Sequence, residues 1–388
     1  MNSTNATTAW MNSANATTAS DALSITSKIA IVTAYVIIFT IALFGNSIGL
    51  YVVCAKETSR RITNLLIKNL TIADLIFTVI LMPYSVLFMF LEPHQWFGGI
   101  MGEITCKVVF YAVPVSIAAS VTTMVVISLD RFCAVYFPLN QALFHNHRAV
   151  TSVIWLFSLI SMTPYLFIFQ VFKEGDMYSC YQVWPWADDQ HEMFLALRIF
   201  HVILFFLLYP LPLLIIAVVN SLVGRRLWLH RAPGSTTSVN RAAVEVSRKK
   251  VVKMLVVLVA VFAICWAPTH LFHYFVFFNQ AILNKIPLVV MNFMLWVSHA
   301  NSAINPMLYI ALNKNFRYAF LDAAVALSTS PVHAVSACMT YFLERQATPE
   351  SHLTNDRPVR QRQHSTFRVA PVVAVNGHNA RQGHETKL

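Results

Sequence analysis

The chain has few charged residues. Only 12% of its 388 residues are charged, whereas a soluble globular domain carries roughly 25%. The hydrophobic residues, 57% of the total, are gathered into runs such as 29–53 and 251–267. These runs are longer than the strands and helix segments of a soluble core, and a bilayer requires about 20 apolar residues per helix. The composition therefore excludes one large soluble core and predicts an integral membrane protein.

Motifs of enzymes and metal proteins are also missing. The six cysteines form no C-x-x-C pair and no zinc spacing, and no H-E-x-x-H motif is present. We therefore expect neither an enzyme nor a bound cofactor. A secondary transporter is the alternative from another class, but the two halves show no inverted repeat and the spans hold no second carboxylate beside Asp74.

The net charge of +11 is distributed between apolar runs rather than in a nucleic-acid-binding patch. The inner segments carry clusters such as Arg225-Arg226 and residues 248–250, and the outer segments carry only Lys28, Lys107, Lys173, Arg198 and Lys285. Basic residues concentrate on the cytoplasmic side of membrane proteins. The pattern predicts a multi-pass plasma-membrane protein with an extracellular N-terminus, a cytoplasmic C-terminus and no nucleic-acid partner.

Seven apolar segments are predicted to be transmembrane helices: 29–54, 63–91, 104–137, 149–171, 195–223, 251–278 and 286–311. The fold class is thus an all-α bundle at 29–311. Residues 1–28 form a polar extracellular tail with glycosylation sequons at Asn2, Asn5 and Asn15. Residues 313–327 are predicted to form an amphipathic eighth helix on the cytoplasmic face, and 328–388 a disordered cytoplasmic tail.

Polar side chains lie deep within these apolar runs, at Asn46, Asp74, Asn301 and Asn305. Such groups are costly in a bilayer and mark functional positions, although hydrogen bonds between helices are an alternative role. A lone carboxylate without a basic residue at its depth must be protonated or lie near a cation.

One motif per span connects the chain to a known family. The motifs are Gly45-Asn46, Asn69-Leu-x-x-Ala73-Asp74, Asp130-Arg131-Phe132, Trp155, Pro212, Cys265-Trp266-Ala267-Pro268 and Asn305-Pro306-x-x-Tyr309. In this order the sequence resembles the rhodopsin-like G-protein-coupled receptors from about residue 30 to 322. The resemblance implies an extracellular ligand and a heterotrimeric G protein as partners.

The resemblance also implies roles for particular residues. Asp74, Ser120, Asn301, Ser302 and Asn305 match the family's sodium pocket, where oxygen ligands suit a hard cation; a water-filled polar network is the alternative. Asp130, Arg131, Trp266, Pro268, Pro306 and Tyr309 match its activation switch. Cys106 and Cys180 match its disulfide, which the oxidising outer face permits.

Two positions depart from the family's switch. Asn220 stands where relatives usually have a tyrosine that meets Tyr309 in the active state. Arg248 stands where many relatives have an acid at the foot of the sixth helix, and the nearest acid is Glu245. We expect the inactive state to be held less tightly, with measurable basal signalling.

The ligand class is narrowed by two further positions. Val113 occupies the place of the aspartate of amine receptors, and His299 that of the lysine which opsins need for a Schiff base. The stretches Trp96-Phe97-Gly98 and Cys180-x-x-x-Trp184-Pro185 resemble those of neuropeptide receptors. The second outer loop is rich in acids, which would steer a basic peptide; a merely solvated loop is the alternative.

The predicted ligand pocket comprises Val113, His201, His270, His273, Phe277 and His299. Since imidazoles titrate near physiological pH, a proton- or small-molecule-sensing receptor of the same fold is an alternative to a peptide receptor. Serines and threonines of the tail are candidate kinase sites for arrestin recruitment, and the basic inner segments suit membrane lipids as well as a G protein.

Overall fold

The structure is a computed structural model that describes residues 23–55, 62–91, 94–137, 146–229, 239–312 and 314–329. The three glycosylation sequons and the tail from residue 330 lie outside this range. The described part contains eleven α-helices: α1 Ile25–Ala55, α2 Ile62–Leu87, α3 Gly99–Tyr136, α4 His147–Met162, α5 Tyr165–Ile168, α6 Gln190–Leu208, α7 Pro210–Leu229, α8 Val239–Phe278, α9 Gln280–Leu283, α10 Leu288–Leu312 and α11 Lys314–Thr329.

Six candidate membrane spans occur in the described residues: Ile25–Cys54, Leu65–Leu87, Gly99–Tyr136, Arg148–Ile168, Gln190–Leu227 and Lys253–Phe278. The helix α10 has 25 residues, enough to cross a bilayer. It does not reach the same hydropathy because it carries polar residues such as His299, Asn301 and Asn305. These side chains are buried inside the bundle, so the polarity of α10 faces its neighbours rather than lipid.

The bundle is apolar outside and partly polar inside, the reverse of a soluble protein. Phe44, Ile160 and Ile264 are more than 60% exposed on its outer surface, whereas Asn46 and Asp74 are buried. A surface of this kind requires an apolar solvent.

Prolines set two of the helix boundaries within the spans. Between α6 and α7, Tyr209 leaves the helical conformation at φ −128° and ψ −80°. It precedes Pro210, and the residue before a proline is pushed out of the α region. In the fourth span, α4 ends at Met162 and Pro164 precedes the short α5. The prediction of a helix up to residue 171 is wrong at its end, because the helical conformation stops at Ile168 and a strand begins at Phe169.

Three strands cover one end of the bundle, which we call the strand-bearing end. They are β1 Gln95–Trp96, β2 Phe169–Glu174 and β3 Met177–Gln182, paired antiparallel in the order β1-β3-β2. Gly175, at φ +60°, makes the tight turn between β2 and β3. The sheet was not predicted, since its apolar residues extend the run of the fourth span.

Close helix packing holds the first and last spans together. A Cβ added to Gly45 of α1 would lie 2.8 Å from Cγ of Pro306 on α10, so a larger residue would force the two helices apart. Asn46 Nδ2 donates to the carbonyls of Ala42 at 2.9 Å and Ser302 at 3.0 Å. The motif glycine and asparagine of α1 thus fix the position of α10.

Candidate ligand cavity and signalling sites

A cavity of about 640 Å³ lies between α6 and α8, with Tyr209 at the break before α7 and residues of α3 and α5 completing its wall. Its size is that of a small-molecule site. The lining is mainly aromatic and aliphatic, and it consists of Pro114, Ile117, Tyr165, His201, Val202, Leu204, Phe205, Phe206, Leu208, Tyr209, Phe262, Trp266, Ala267, His270, Leu271, His273, Tyr274, Phe277 and Phe278.

Four of the six predicted pocket residues line this cavity, namely His201, His270, His273 and Phe277. The His201 ring lies 4.0 Å from that of Phe277 and 6.2 Å from that of His273, between centroids. His201 Nδ1 is hydrogen-bonded to the carbonyl of Leu197 at 2.8 Å, which leaves Nε2 as its available nitrogen. The described residues contain no group of histidines, cysteines and acids arranged to hold a metal ion.

The other two predicted pocket residues, Val113 and His299, do not line the cavity. His299 is buried between α1, α2 and α10, where its Nδ1 is 2.9 Å from the hydroxyl oxygen of Tyr35. Its ring also packs edge-on against Phe77 at 5.4 Å. The seventh-span histidine is therefore enclosed by its neighbouring helices, which separate it from the cavity between α6 and α8.

Trp266 lines the cavity on α8, next to the kink position Pro268. Its ring centroid is 5.8 Å from Phe262 and 6.1 Å from Phe77, so it contacts both the cavity wall and the bundle core. Nearby, the hydroxyl of Tyr209 donates to the carbonyl of Ala263 at 2.8 Å. This bond ties the break between α6 and α7 to the helix that carries Trp266.

The strand-bearing end is tied to α3 by the disulfide between Cys106 and Cys180, whose Cα atoms are 6.1 Å apart. The indole Nε1 of Trp96 donates to the carbonyl of Gly102 at 3.0 Å. On β2, the backbone N–H of Val171 donates to a Glu103 carboxylate oxygen at 3.2 Å. Three independent contacts therefore hold the sheet against the first turns of α3.

Part of the acidic second loop has a structural role. The backbone N–H of Glu192 donates to Asp189 Oδ1 at 2.7 Å, and Glu192 Oε2 accepts from the backbone N–H of Asp188 at 3.1 Å. This reciprocal arrangement caps the N-terminus of α6. Asp189 and Glu192 are thus helix caps, while Asp176 and Asp188 remain exposed acids of the loop.

In the middle of the bundle, Asp74 is buried at 3% exposure and accepts two side-chain hydrogen bonds. Asn305 Nδ2 donates to its Oδ2 at 2.9 Å, and the hydroxyl of Ser302 donates to its Oδ1 at 3.3 Å. No basic side chain pairs with Asp74 among the residues described. The structure thus brings together three of the five predicted sodium-pocket residues.

The remaining two predicted pocket residues are less directly connected. Asn301 is buried, and its Oδ1 has no hydrogen-bond partner in the described part of the chain. Ser120 on α3 is half-buried and makes no hydrogen bond to a described residue. A buried carboxylate without a basic partner and a buried amide oxygen without a donor are groups of the kind that a sodium ion binds, because a hard cation takes oxygen ligands.

At the opposite end of the bundle, Arg131 Nη2 lies 2.6 Å from Asp130 Oδ2 on the next residue of α3. The side chains of Glu245 and Arg248 lie outside the described range. Asn220 of α7 and Tyr309 of α10 are both buried. Asn220 Oδ1 and the Tyr309 hydroxyl each lack a hydrogen-bond partner within the described ranges.

Comparison with known proteins shows the family. The sequence model described as "7 transmembrane receptor (rhodopsin family)" matches residues 45–309. The chain belongs to the rhodopsin family of seven-transmembrane receptors. This confirms α10 as the seventh span, and with it the predicted bundle. It also confirms that the protein is a receptor rather than an enzyme, because that is what members of the family are.

The receptor is similar to several known proteins. It is 32% identical over 297 residues to the substance-P receptor of Aquarana catesbeiana, covering 74% of this chain and 68% of that receptor. It is 28% identical over 335 residues to the tachykinin-like peptides receptor 86C of Drosophila melanogaster, covering 83% and 63%. It is 25% identical over 311 residues to the RYamide receptor of Tribolium castaneum, covering 77% and 81%. The match thus spans less than two thirds of the length of the Drosophila receptor.

Sequence reasoning missed three contact residues of the receptor's interior: Tyr35, Phe77 and Tyr209. Each lies in an apolar run without a motif of its own. Tyr209 had one usable signal, since its place before Pro210 predicts a helix break. Tyr35 and Phe77 became visible only when the packing of α1 and α2 against α10 was known.

Proposed function

We propose that the protein is a cell-surface receptor that is activated by an extracellular peptide and passes the signal to a heterotrimeric G protein. The strand-bearing end faces the outside and the Arg131 end faces the cytoplasm. The observation that carries this proposal is the position of Trp266, which lines the ligand cavity and also packs on Phe77 and Phe262 in the core. A ligand that moves this indole displaces core contacts as well.

A peptide is the proposed ligand class because the similar receptors named above are tachykinin-like, substance-P and RYamide receptors. Phe169, the first residue of β2, stacks on the cavity-lining Tyr165 at 5.9 Å between centroids. The sheet is fixed by the Cys106–Cys180 disulfide, so it provides a rigid edge against which an extended chain can lie. The exposed acids Asp176 and Asp188 favour a basic peptide through long-range attraction.

The signal leaves the receptor at the opposite end. In the described conformation, Asp130 neutralises Arg131 within one turn of α3. Outward movement of the lower half of α8, hinged at Pro268, would open the space beside this pair. Arg131 would then exchange its intrahelical partner for a group on the G protein.

Sodium is proposed as a ligand of the inactive state. Asp74, Ser302 and Asn305 would hold the ion, with Asn301 and Ser120 as further oxygen donors. A bound cation supplies the charge that the buried carboxylate lacks. Because the ion fits only while α2, α3 and α10 keep these positions, sodium would oppose the rearrangement that an agonist requires.

The test is nucleotide exchange on a purified heterotrimeric G protein, catalysed by the receptor in nanodiscs and stimulated by a library of amidated neuropeptides. We expect at least one peptide to stimulate exchange, and Trp266→Leu to reduce the stimulation more than it reduces binding of that peptide. Phe293→Leu, on the exposed face of α10, is the matched control and should signal normally.

Two outcomes would contradict the proposal. If no peptide of the library stimulates exchange, the proposed ligand class is wrong. If acidification alone stimulates exchange, the receptor senses protons rather than peptides.

The role of the acids is tested separately by the double variant Asp176→Asn and Asp188→Asn, which should slow agonist association at low salt. Asp322→Asn on α11 is its control, since it removes a charge at the other end.

A further inference from the structure

The wall of the ligand cavity includes side chains that also belong to the outer surface of the bundle. On α6 these are Val202 and Phe206, spaced four residues apart, and on α8 they are Leu271, Tyr274 and Phe278, spaced three and four apart. Each set is exposed and forms one stripe along its helix. Because these side chains line the cavity and are also exposed, the geometry points to an opening of the cavity on the side of the bundle, between α6 and α8.

This opening lies at bilayer depth. Val202 and Phe206 fall within the candidate span Gln190–Leu227, and Leu271 and Tyr274 fall within Lys253–Phe278. In the membrane, the exposed faces of these residues contact lipid chains rather than water. A molecule that enters between α6 and α8 therefore comes from the bilayer, whereas a water-soluble peptide must approach from the strand-bearing end.

The polar groups of the cavity specify the head group of such a molecule. His270 and His273 make no hydrogen bond to any described residue, and His201 has Nε2 available because only its Nδ1 is bonded. A neutral imidazole offers both a donor and an acceptor nitrogen. The lining contains no lysine, arginine, aspartate or glutamate, so a charged head group would be buried without an ionic partner. A hydroxyl or amide head group would be satisfied.

The volume sets the length of the chain. With about 30 Å³ as the share of one water-sized group in a liquid, a cavity of about 640 Å³ holds roughly 20 such groups. We propose that this cavity binds a neutral single-chain lipid, of the size of an N-acylethanolamine or a monoacylglycerol, which enters sideways between α6 and α8. Its head group reaches the histidines and its chain lies along the aromatic wall. This proposal does not rest on the peptide ligand proposed above.

The test uses a photoreactive N-palmitoylethanolamine, with a diazirine in its chain, added to nanodiscs that contain the full-length receptor. After irradiation, mass spectrometry of receptor fragments locates the label. We expect labelling concentrated on 201–209 and 270–278, and at least a fivefold reduction in the double variant His270→Phe and His273→Phe. Unlabelled N-palmitoylethanolamine should compete, whereas palmitate, which carries a charged head, should compete at least tenfold less well.

The side entrance is tested by Leu271→Trp, which fills it, with Ile264→Trp on the exposed face of the same helix as matched control. We expect Leu271→Trp to reduce labelling at least fivefold and Ile264→Trp to leave it unchanged. If Leu271→Trp does not fold, Phe206→Trp on the facing helix replaces it. Equal labelling of all lipid-facing segments, or equal competition by palmitate, would overturn the proposal. Because neither readout uses a peptide or a G protein, this failure is distinct from failure of the proposed function.

Discussion

Replacing Tyr35 by phenylalanine removes one hydroxyl from the contact between the first and seventh spans. This hydroxyl lies 2.9 Å from Nδ1 of His299, and both residues are buried. The aromatic ring stays, so packing against Met82, Ala300 and Ala303 in the same apolar cluster is retained. The variant therefore separates the polar contacts of the hydroxyl, with His299 and with Ser85, from the hydrophobic contribution of the side chain.

Hydrogen bonds between membrane helices contribute about 0.6 kcal/mol on average and up to about 1.7 kcal/mol. Tyr35 is 2% exposed and His299 is 5% exposed, so water cannot replace the missing partner and we expect a loss of about 1 to 1.7 kcal/mol. At about 2–4 °C per kcal/mol for a large domain, the unfolding temperature should fall by roughly 2–7 °C. Removing either side chain leaves the other without this hydrogen-bond partner. The loss of stability in the double variant with His299→Phe should therefore be smaller than the sum of the losses in the two single variants.

The assay is thermal unfolding of the purified receptor in detergent, followed with a thiol-reactive dye. Cys54 and Cys265 are buried cysteines outside the disulfide, and their thiols become reactive on unfolding. Tyr318→Phe, an exposed tyrosine on α11, is the matched control and should melt at the wild-type temperature. A wild-type melting temperature for Tyr35→Phe, or strict additivity in the double variant, would refute the reasoning.

Three further results are expected. Asp74→Asn should abolish the effect of sodium on agonist affinity, since the amide has no charge to offer the ion. The measurement is a radioligand titration with sodium, using potassium as control, and a sodium effect that persists in the variant would contradict the prediction. Asn220→Leu should lower maximal agonist-stimulated nucleotide exchange. Asn220 Oδ1 and the Tyr309 hydroxyl are both unsatisfied among the described residues, and we expect them to form a hydrogen bond when α8 moves. Exchange equal to that of the wild type would show that this hydrogen bond does not contribute. Burial lowers the pKa of His94 in the loop before β1. The unfolded chain therefore gains a proton once the pH falls below about 6.5, and stability should decline from pH 7 to pH 5. His94→Asn should reduce this decline, as judged from melting temperatures at the two pH values.

Hydrophobic runs and loop charge were sufficient to predict the bundle, because the bilayer imposes one length and one composition on every span. Asp74 could also be identified as a candidate site residue, since a carboxylate in an apolar run is rare enough to be informative by itself. The cavity could not be located in this way. Whether a histidine of α8 or α10 faces it depends on helix rotation and on the break at Tyr209, and periodicity fixes neither to within one side chain.

The strands illustrate a second limit of sequence reasoning. Phe169 and Val171 are as apolar as the end of a membrane helix, and the short segment has no alternation that would distinguish a strand from a buried helix. What places these residues in a sheet is their surroundings. Phe110 on α3 stacks on Phe169 at 4.0 Å, and Cys106 is bonded to Cys180 on the adjacent strand. Both are contacts between residues far apart in the chain.

The seventh span shows why hydropathy is weakest where polar side chains are gathered inside the bundle. The helix α10 carries His299, Asn301, Ser302 and Asn305, and these residues lower its mean hydropathy below that of the six other candidate spans in the described residues. Their side chains point inward, where they hydrogen-bond Asp74 or Tyr35 or remain available to an ion. Polarity that would be costly against lipid is thus tolerated because α1 and α2 cover it. A helix in a bundle that is too polar for lipid on one face must have neighbours on that face, so its low hydropathy itself indicates an internal site.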